Sequence, residues 1–300
     1  MAVAAVAVLS CSPAYSQTLR VGTGSAKGTY SQMFRELTNT CGSELTMVEV
    51  NSTGSMENIN NLVGNQVNAV FVQSDVLHLR ARTEELGNVK TLLALHSEQV
   101  HLLARASSGL KQGGFAGVGG SEVVFTDLTS LAGRRVGAAG GSVATAQVIR
   151  LQSEVAFNVV PLDTNDAVKA ALDKGEIDAG LFVGGSPLPL LSALGPQYKL
   201  LPISPALTER LKGVYRPSRL TYPKMGAAGV TTVSTDALLV TREYKTERML
   251  TSLGRFRACA LRQLDELKET TGTHPAWQGV DAANKGKWAW YDLPPSGARK

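Results

Sequence analysis

Leu62-Val63-Gly64-Asn65-Gln66-Val67-Asn68-Ala69 and Leu172-Asp173-Lys174-Gly175-Glu176-Ile177-Asp178-Ala179 carry one pattern twice: a leucine, five residues, Asn or Asp, then alanine, with Val67 answering Ile177. Each copy closes a helix and opens an apolar run, Val67–Val72 in the first and Ile177–Val183 in the second. Upstream of the first copy, Ile59, Leu62 and Val63 share a helix face from Met56 onward, and Leu45–Val50 reads as a strand. Further back, a helix opens at Thr29 or Tyr30 with Met33, Phe34 and Leu37 at helical spacing, behind the strand Thr18–Val21. Upstream of the second copy, a helix opens at Asn165, and a strand ending at Val136 runs through Gly137–Ser142 into a helix with Val148, Ile149 and Leu151. Strands alternating with helices predict mostly parallel sheet covered on both faces. The copies lie 110 positions apart and the strand ends Val21 and Val136 lie 115 apart. A period that long predicts two related lobes, not a solenoid of short repeats.

Two apolar segments, His101–Arg105 and Thr232–Val240, are the expected crossings between lobes. They assign residues 17–103 and 236–300 to the first lobe and 104–235 to the second, an α/β architecture with a cleft between the lobes. Gly113–Ser121 is expected to be a surface loop or hairpin. Met249, Leu250, Leu253, Phe256, Leu261 and Leu264 outline one long C-terminal helix, and Trp277, Trp288, Trp290 and Tyr291 are expected to pack over the first lobe.

The 300 residues, 43% hydrophobic and 18% charged, fit two globular domains and exclude a disordered chain or a coiled coil. No run approaches the ~18 apolar residues of a membrane-spanning helix. Ala2–Leu9 followed by Ala14-Tyr15-Ser16 reads as the apolar region and cleavage site of an export signal over residues 1–16, although no Lys or Arg precedes it. Cys11 is an alternative lipid-attachment site. Export leaves Cys41 and Cys259 in a compartment where they can pair, with two buried thiols as the other reading. The net charge of +5 is dispersed without an aromatic-interleaved basic patch, so no nucleic-acid partner is expected. The scattered histidines and cysteines predict neither a metal nor another cofactor.

Chemistry concentrates at the strand ends. Glycine loops let backbone N–H groups at helix N-termini point into a cleft, where they favour an anion. The candidate binding residues are Thr23, Gly24, Ser25, Thr29 and Tyr30 in the first loop, Thr53, Gly54 and Ser55 in the second, and Gln73 and Ser74 after the third strand. The second lobe offers Gly141, Ser142, Thr145 and Gly184. Ser and Thr also favour helix caps and turns, so capping is the competing role for each hydroxyl. Enzyme signatures are missing. Gly28 falls one residue beyond the third glycine of a dinucleotide fingerprint, and neither a phosphate-binding Walker loop nor a G-x-S-x-G elbow occurs. His274 is assigned a structural role.

Gly22-Thr23-Gly24 with Gly28-Thr29-Tyr30, Ser52-Thr53-Gly54-Ser55 with Glu57-Asn58, and Val67–Gln73 together resemble the solute receptors of tripartite ATP-independent periplasmic (TRAP) transporters, in the TAXI branch. Leu131–Gly137, Gly175–Ala179 and Phe182–Gly185 resemble second-lobe segments of that family. The resemblance spans roughly residues 19–280. It implies a type II periplasmic-binding-protein fold, a periplasmic monomer that closes on a small organic anion or a glutamate-like amino acid, and delivery to a TRAP-type permease without chemical conversion. Gly140–Thr145 departs from the family's form of the second glycine loop, which leaves the solute open. A solute-sensing partner of a signalling receptor is the alternative function on the same fold.

Overall fold

Apolar strands feed glycine-opened helices twice over in the structure, a computed structural model that describes residues 18–113 and 120–293. The expected leader with Cys11 and the centre of the Gly113–Ser121 loop lie outside the described residues. The first unit comprises β1 (Leu19–Gly22), α1 (Thr29–Cys41), β2 (Met47–Val50), α2 (Ser55–Val63), β3 (Ala69–Gln73) and α3 (Ser74–Arg80). β1 pairs in parallel with both β2 and β3. All five residues of β3 are buried, as in a strand covered on both faces, where apolar and polar residues have no reason to alternate.

β4 (Val89–Arg105) leads to the second unit, which begins with β5 (Lys111–Gln112) and β6 (Ser121–Glu122), a short antiparallel pair flanking the glycine-rich segment. Next come β7 (Arg135–Ala139), α4 (Gly141–Ser153), β8 (Asn158–Leu162), α5 (Asn165–Lys174) and β9 (Ala179–Gly184). β7 pairs in parallel with β8 and β9, the arrangement of the first unit repeated. The remaining elements are α6 (Pro189–Ser192), β10 (Tyr198–Leu200), α7 (Pro205–Leu211), β11 (Arg216–Tyr222), β12 (Ala227–Arg242), α8 (Glu247–Arg262) and α9 (Leu264–Glu269).

The strand order β2-β1-β3-β12-β4-β9-β7-β8 joins both units through two long antiparallel strands. β4 has 17 residues and β12 has 16, so at ~3.3 Å per residue each reaches through both lobes. The C-terminal half of β12 pairs with β3, whereas Gln99–Leu103 of β4 pair with β9. The sheet is therefore mixed, not mostly parallel. The chain changes lobes as extended strand, and those strands run antiparallel to their neighbours.

The sequence repeat has a structural reason. Asn68 accepts a hydrogen bond from the Arg20 amide at 2.9 Å through Oδ1, and Asp178 accepts one from the Arg135 amide at 2.8 Å through Oδ2. In return the amides of Asn68 and Asp178 donate to the carbonyls of Arg20 and Arg135 at 2.8 Å. Each Asn or Asp thus locks the strand it opens to its parallel neighbour, satisfying a donor that the ladder leaves free.

Each lobe has its own core. In the first, Leu19, Met33, Phe34 and Leu37 pack against Met249, Leu253 and Phe256 of α8. In the second, Val136, Ile149, Phe157, Leu181 and Leu207 cluster together. Cys41 of α1 and Cys259 of α8 lie with Cα atoms 6.1 Å apart and their sulfurs bonded. The expected long C-terminal helix breaks at Gln263, whose φ of −90° and ψ of 3° leave helical geometry, and α9 then buries Leu264 and Leu267. The tail returns across the first lobe: Trp277 is buried and donates to Glu36 Oε2 at 2.6 Å, and Trp288 donates to the Val89 carbonyl at 2.9 Å. No helix among the described residues is long and apolar enough to cross a membrane.

Candidate functional site: the cleft between the lobes

The C-terminal ends of the parallel strands in both lobes open onto one cleft of about 390 Å³. Ligands of open α/β sheets bind in that position. From the first lobe it is lined by Gly24, Ser25, Thr29 and Tyr30, by Thr53, Gly54 and Ser55, and by Gln73. From the second come Gly140, Gly141 and Ser142, the Asp163-Thr164-Asn165 turn, Val183 and Gly184. Glu98 of β4 lines it between the two.

Three helices point uncapped N-termini here. Gly28, Gly54 and Gly140 occupy the N-cap positions of α1, α2 and α4, and none supplies a side-chain bond. In contrast, α5 and α7 are capped by the hydroxyls of Thr164 and Ser204. Gly54 at φ 121° and Gly140 at φ 53° hold backbone conformations that side chains disfavour. The loops also touch: a Cβ on Gly140 would stand 3.2 Å from the Thr53 carbonyl, and one on Gly141 would collide with the Gln73 amide. Helix N-termini from opposite lobes therefore face each other at close range, an arrangement suited to a small anion.

The serines at these helix starts play matching parts. Ser55 Oγ accepts from the Gln73 amide at 3.1 Å, and Ser142 Oγ accepts from the Val183 amide at 3.1 Å. Each ties its helix start to the end of a parallel strand in its own lobe. The Thr53 amide and hydroxyl donate to Glu57 Oε2 at 2.8 and 2.7 Å, which holds the Glu57 carboxyl below its ordinary range.

Three of the candidate residues are not among those lining the cleft. Thr23 is buried beneath the first loop, donating to Glu49 Oε1 at 2.9 Å. Ser74 is buried against Thr235 of β12, with the hydroxyl oxygens 3.0 Å apart. Thr145 donates to Asp75 Oδ2 at 2.6 Å, and Tyr215 donates to the same oxygen at 2.8 Å. Asp75 belongs to the first lobe and both hydroxyls to the second, so this cluster spans the lobes. Burial raises the Asp75 carboxyl above its usual range despite the lowering effect of the two hydroxyl bonds. His274 lies behind the first loop, Nε2 3.3 Å from Thr29 Oγ1, and its Nδ1 accepts from the Ala276 amide at 3.1 Å to cap the turn that follows.

Sequence reasoning missed Glu98 and the Asp163–Asn165 turn. Glu98 had a legible signal, an acid in the short polar stretch His96–Gln99 between the apolar segments Leu92–Leu95 and Leu102–Ala104 of what reads as one strand. It accepts from Tyr30 Oη at 3.2 Å. Burial, and then the Glu98 charge, push the Tyr30 phenol well above its usual range, so Tyr30 stays a neutral donor. Among the described residues no group of three or more His, Cys, Asp or Glu is placed to hold a metal.

No family model matches the chain. Among solved structures it is similar to Tv2483 bound to L-arginine, at TM-score 0.54 and 13% identity over 88% of this chain and 92% of that one. It is similar also to the substrate binding protein of an amino acid ABC transporter, at TM-score 0.51 and 10% identity over 84% and 95%. The GluR0 ligand-binding core from Nostoc punctiforme, in complex with L-glutamate, matches at TM-score 0.50 and 12% identity over 87% and 95%. At such identities the likeness is one of fold, and with the topology above it defines the two-lobed type II periplasmic-binding-protein fold.

Proposed function

We propose that this chain is an exported solute receptor that closes its lobes on a small carboxylate, an organic acid or an amino acid, and hands it to a membrane permease without converting it. The observation that carries this reading is the convergence of the uncapped N-termini of α1, α2 and α4 from both lobes on one cleft. Hydrogen bonds to a charged group contribute ~1.5–3 kcal/mol each, and a helix N-terminus adds ~0.3–1 kcal/mol. A few such contacts, half of them made only on closure, are enough to shift the balance between open and closed forms. Proteins of this fold hold L-arginine and L-glutamate. The motifs at Gly22–Tyr30, Ser52–Asn58 and Val67–Gln73 favour a TAXI-type receptor and a TRAP-type permease. The lobes hinge, on this reading, where β4 and β12 change partners, near Gln99 and Ser234.

The test is a thermal-shift screen of the mature protein, unfolded and refolded to strip retained solute, against amino acids, 2-oxo acids, 2-hydroxy acids and dicarboxylates. A bound solute at 100 times its Kd adds ~2.7 kcal/mol, several degrees of Tm for a protein of this size. Replacing Thr53 and Gln73 together by alanine should remove that shift while the fold survives. A folded protein that responds to no member of the panel would refute carboxylate capture.

A further inference from the structure

We infer that the solute carries an ammonium group held by Glu98, so that the preferred ligand is an amino acid of zero or positive net charge and not a dicarboxylate. The inference rests on the receptor reading above and narrows its substrate class. Glu98 is 6% exposed, yet its side chain forms part of the cleft wall. Oε2 accepts from Tyr30, whereas Oε1 accepts no hydrogen bond among the described residues. Among the described residues the one basic side chain within reach is His96, with Nε2 3.3 Å from Oε1 but out of hydrogen-bonding geometry, since neither of its ring nitrogens has a hydrogen-bond partner. A buried carboxylate with one neutral donor is expensive unless a cation meets it.

The cleft's other charges sharpen the point. Asp163 lines the opposite side, and no lysine or arginine is among the lining residues. Two carboxylates and no fixed cation disfavour a doubly anionic solute. The backbone amides at Ser55 and Gly141, the first residues of α2 and α4, can take one carboxylate, and Glu98 on the intervening strand then takes the positive group. A zwitterion matches this division, with its anionic end at the helix N-termini and its ammonium at β4.

Isothermal titration of the refolded protein with amino acids, with the 2-hydroxy and 2-oxo acids of the same side chains, and with dicarboxylates tests this. The expected result is that the tightest binder bears an ammonium and that its 2-hydroxy counterpart binds at least about 30-fold more weakly, the scale of one charge-assisted contact. Glu98→Gln should weaken the amino acid by a similar factor and leave the hydroxy acid within about threefold. If a hydroxy acid, oxo acid or dicarboxylate binds as tightly as any amino acid, or if E98Q leaves amino-acid affinity unchanged, the ammonium subsite is wrong while carboxylate capture stands. If nothing in the panel binds, both readings fall. Should E98Q not fold, the ammonium-against-hydroxyl comparison in the unaltered protein decides alone.

Discussion

Gly141 shows how much of the site depends on a missing atom. It opens α4, where alanine would favour the helix by up to about 1 kcal/mol, yet its Cβ would strike the Gln73 amide of the other lobe. Gly141→Ala is therefore expected to leave the ligand-free protein at least as stable and to weaken solute binding tenfold or more, measured by thermal unfolding and titration side by side. Unchanged affinity would mean that the lobes do not meet there. His101 makes a second prediction, about pH. Burial lowers its pKa to about 4 from an unfolded value near 6.5, and its Nε2 lies 2.9 Å from the Tyr222 hydroxyl. The unfolded chain then binds the extra proton first, so this contribution is present above pH ~6.5 and lost as pH falls toward 4. Urea titrations at pH 7 and pH 4.5 should show His101→Gln losing less stability than the unaltered protein, by up to about 3 kcal/mol. An equal loss in both would contradict the assignment. Residue identity at the glycine loops was readable because glycine at a strand-to-helix junction has few other uses. The burial that sends Thr23, Ser74 and Thr145 away from the cleft wall depends on which side chains meet across the lobes, and sequence spacing does not carry that.

At the scale of elements, periodicity was a good guide wherever one face of a helix is buried. Met33, Phe34 and Leu37 of α1, and Met249, Leu253 and Phe256 of α8, lie in one core as their spacing implies. The strand-opening pairs Asn68 and Asp178 were legible as a repeat because each performs the same hydrogen bonding in its lobe. What spacing could not show was the break at Gln263, or that β4 and β12 would turn a parallel sheet into a mixed one. Long-range strand pairing decides the second. The α1–α8 contact supports a prediction at this scale. The Cys41–Cys259 bond closes a loop of 218 positions, and removing it by C41S/C259S should cost about 2–5 kcal/mol, a fall in Tm on the order of 5–15 °C. Solute affinity should hardly change, since neither residue lines the cleft. A variant with unaltered Tm would show that the α1–α8 packing suffices by itself.

Across the whole molecule, two groups of contacts between the lobes bear on closure. One is in the cleft, where the α2 and α4 N-termini face each other. The other lies beside the long strands, where Asp75 takes hydroxyls from Thr145 and Tyr215, and Lys287 of the tail donates to the carbonyls of Lys212 and Tyr215 at 2.6 and 3.0 Å. The second set needs no solute. Burial raises the Asp75 carboxyl above its usual range even with both hydroxyls in place. A ligand adds a preference for closure by binding the closed form better than the open one. Small-angle X-ray scattering on the stripped protein tests this most directly, before and after addition of the solute that gives the largest thermal shift. The radius of gyration is expected to fall on binding and the distance distribution to lose its longest separations, with G141A compacting less. A profile that stays the same while the solute is shown to be bound would contradict capture by closure.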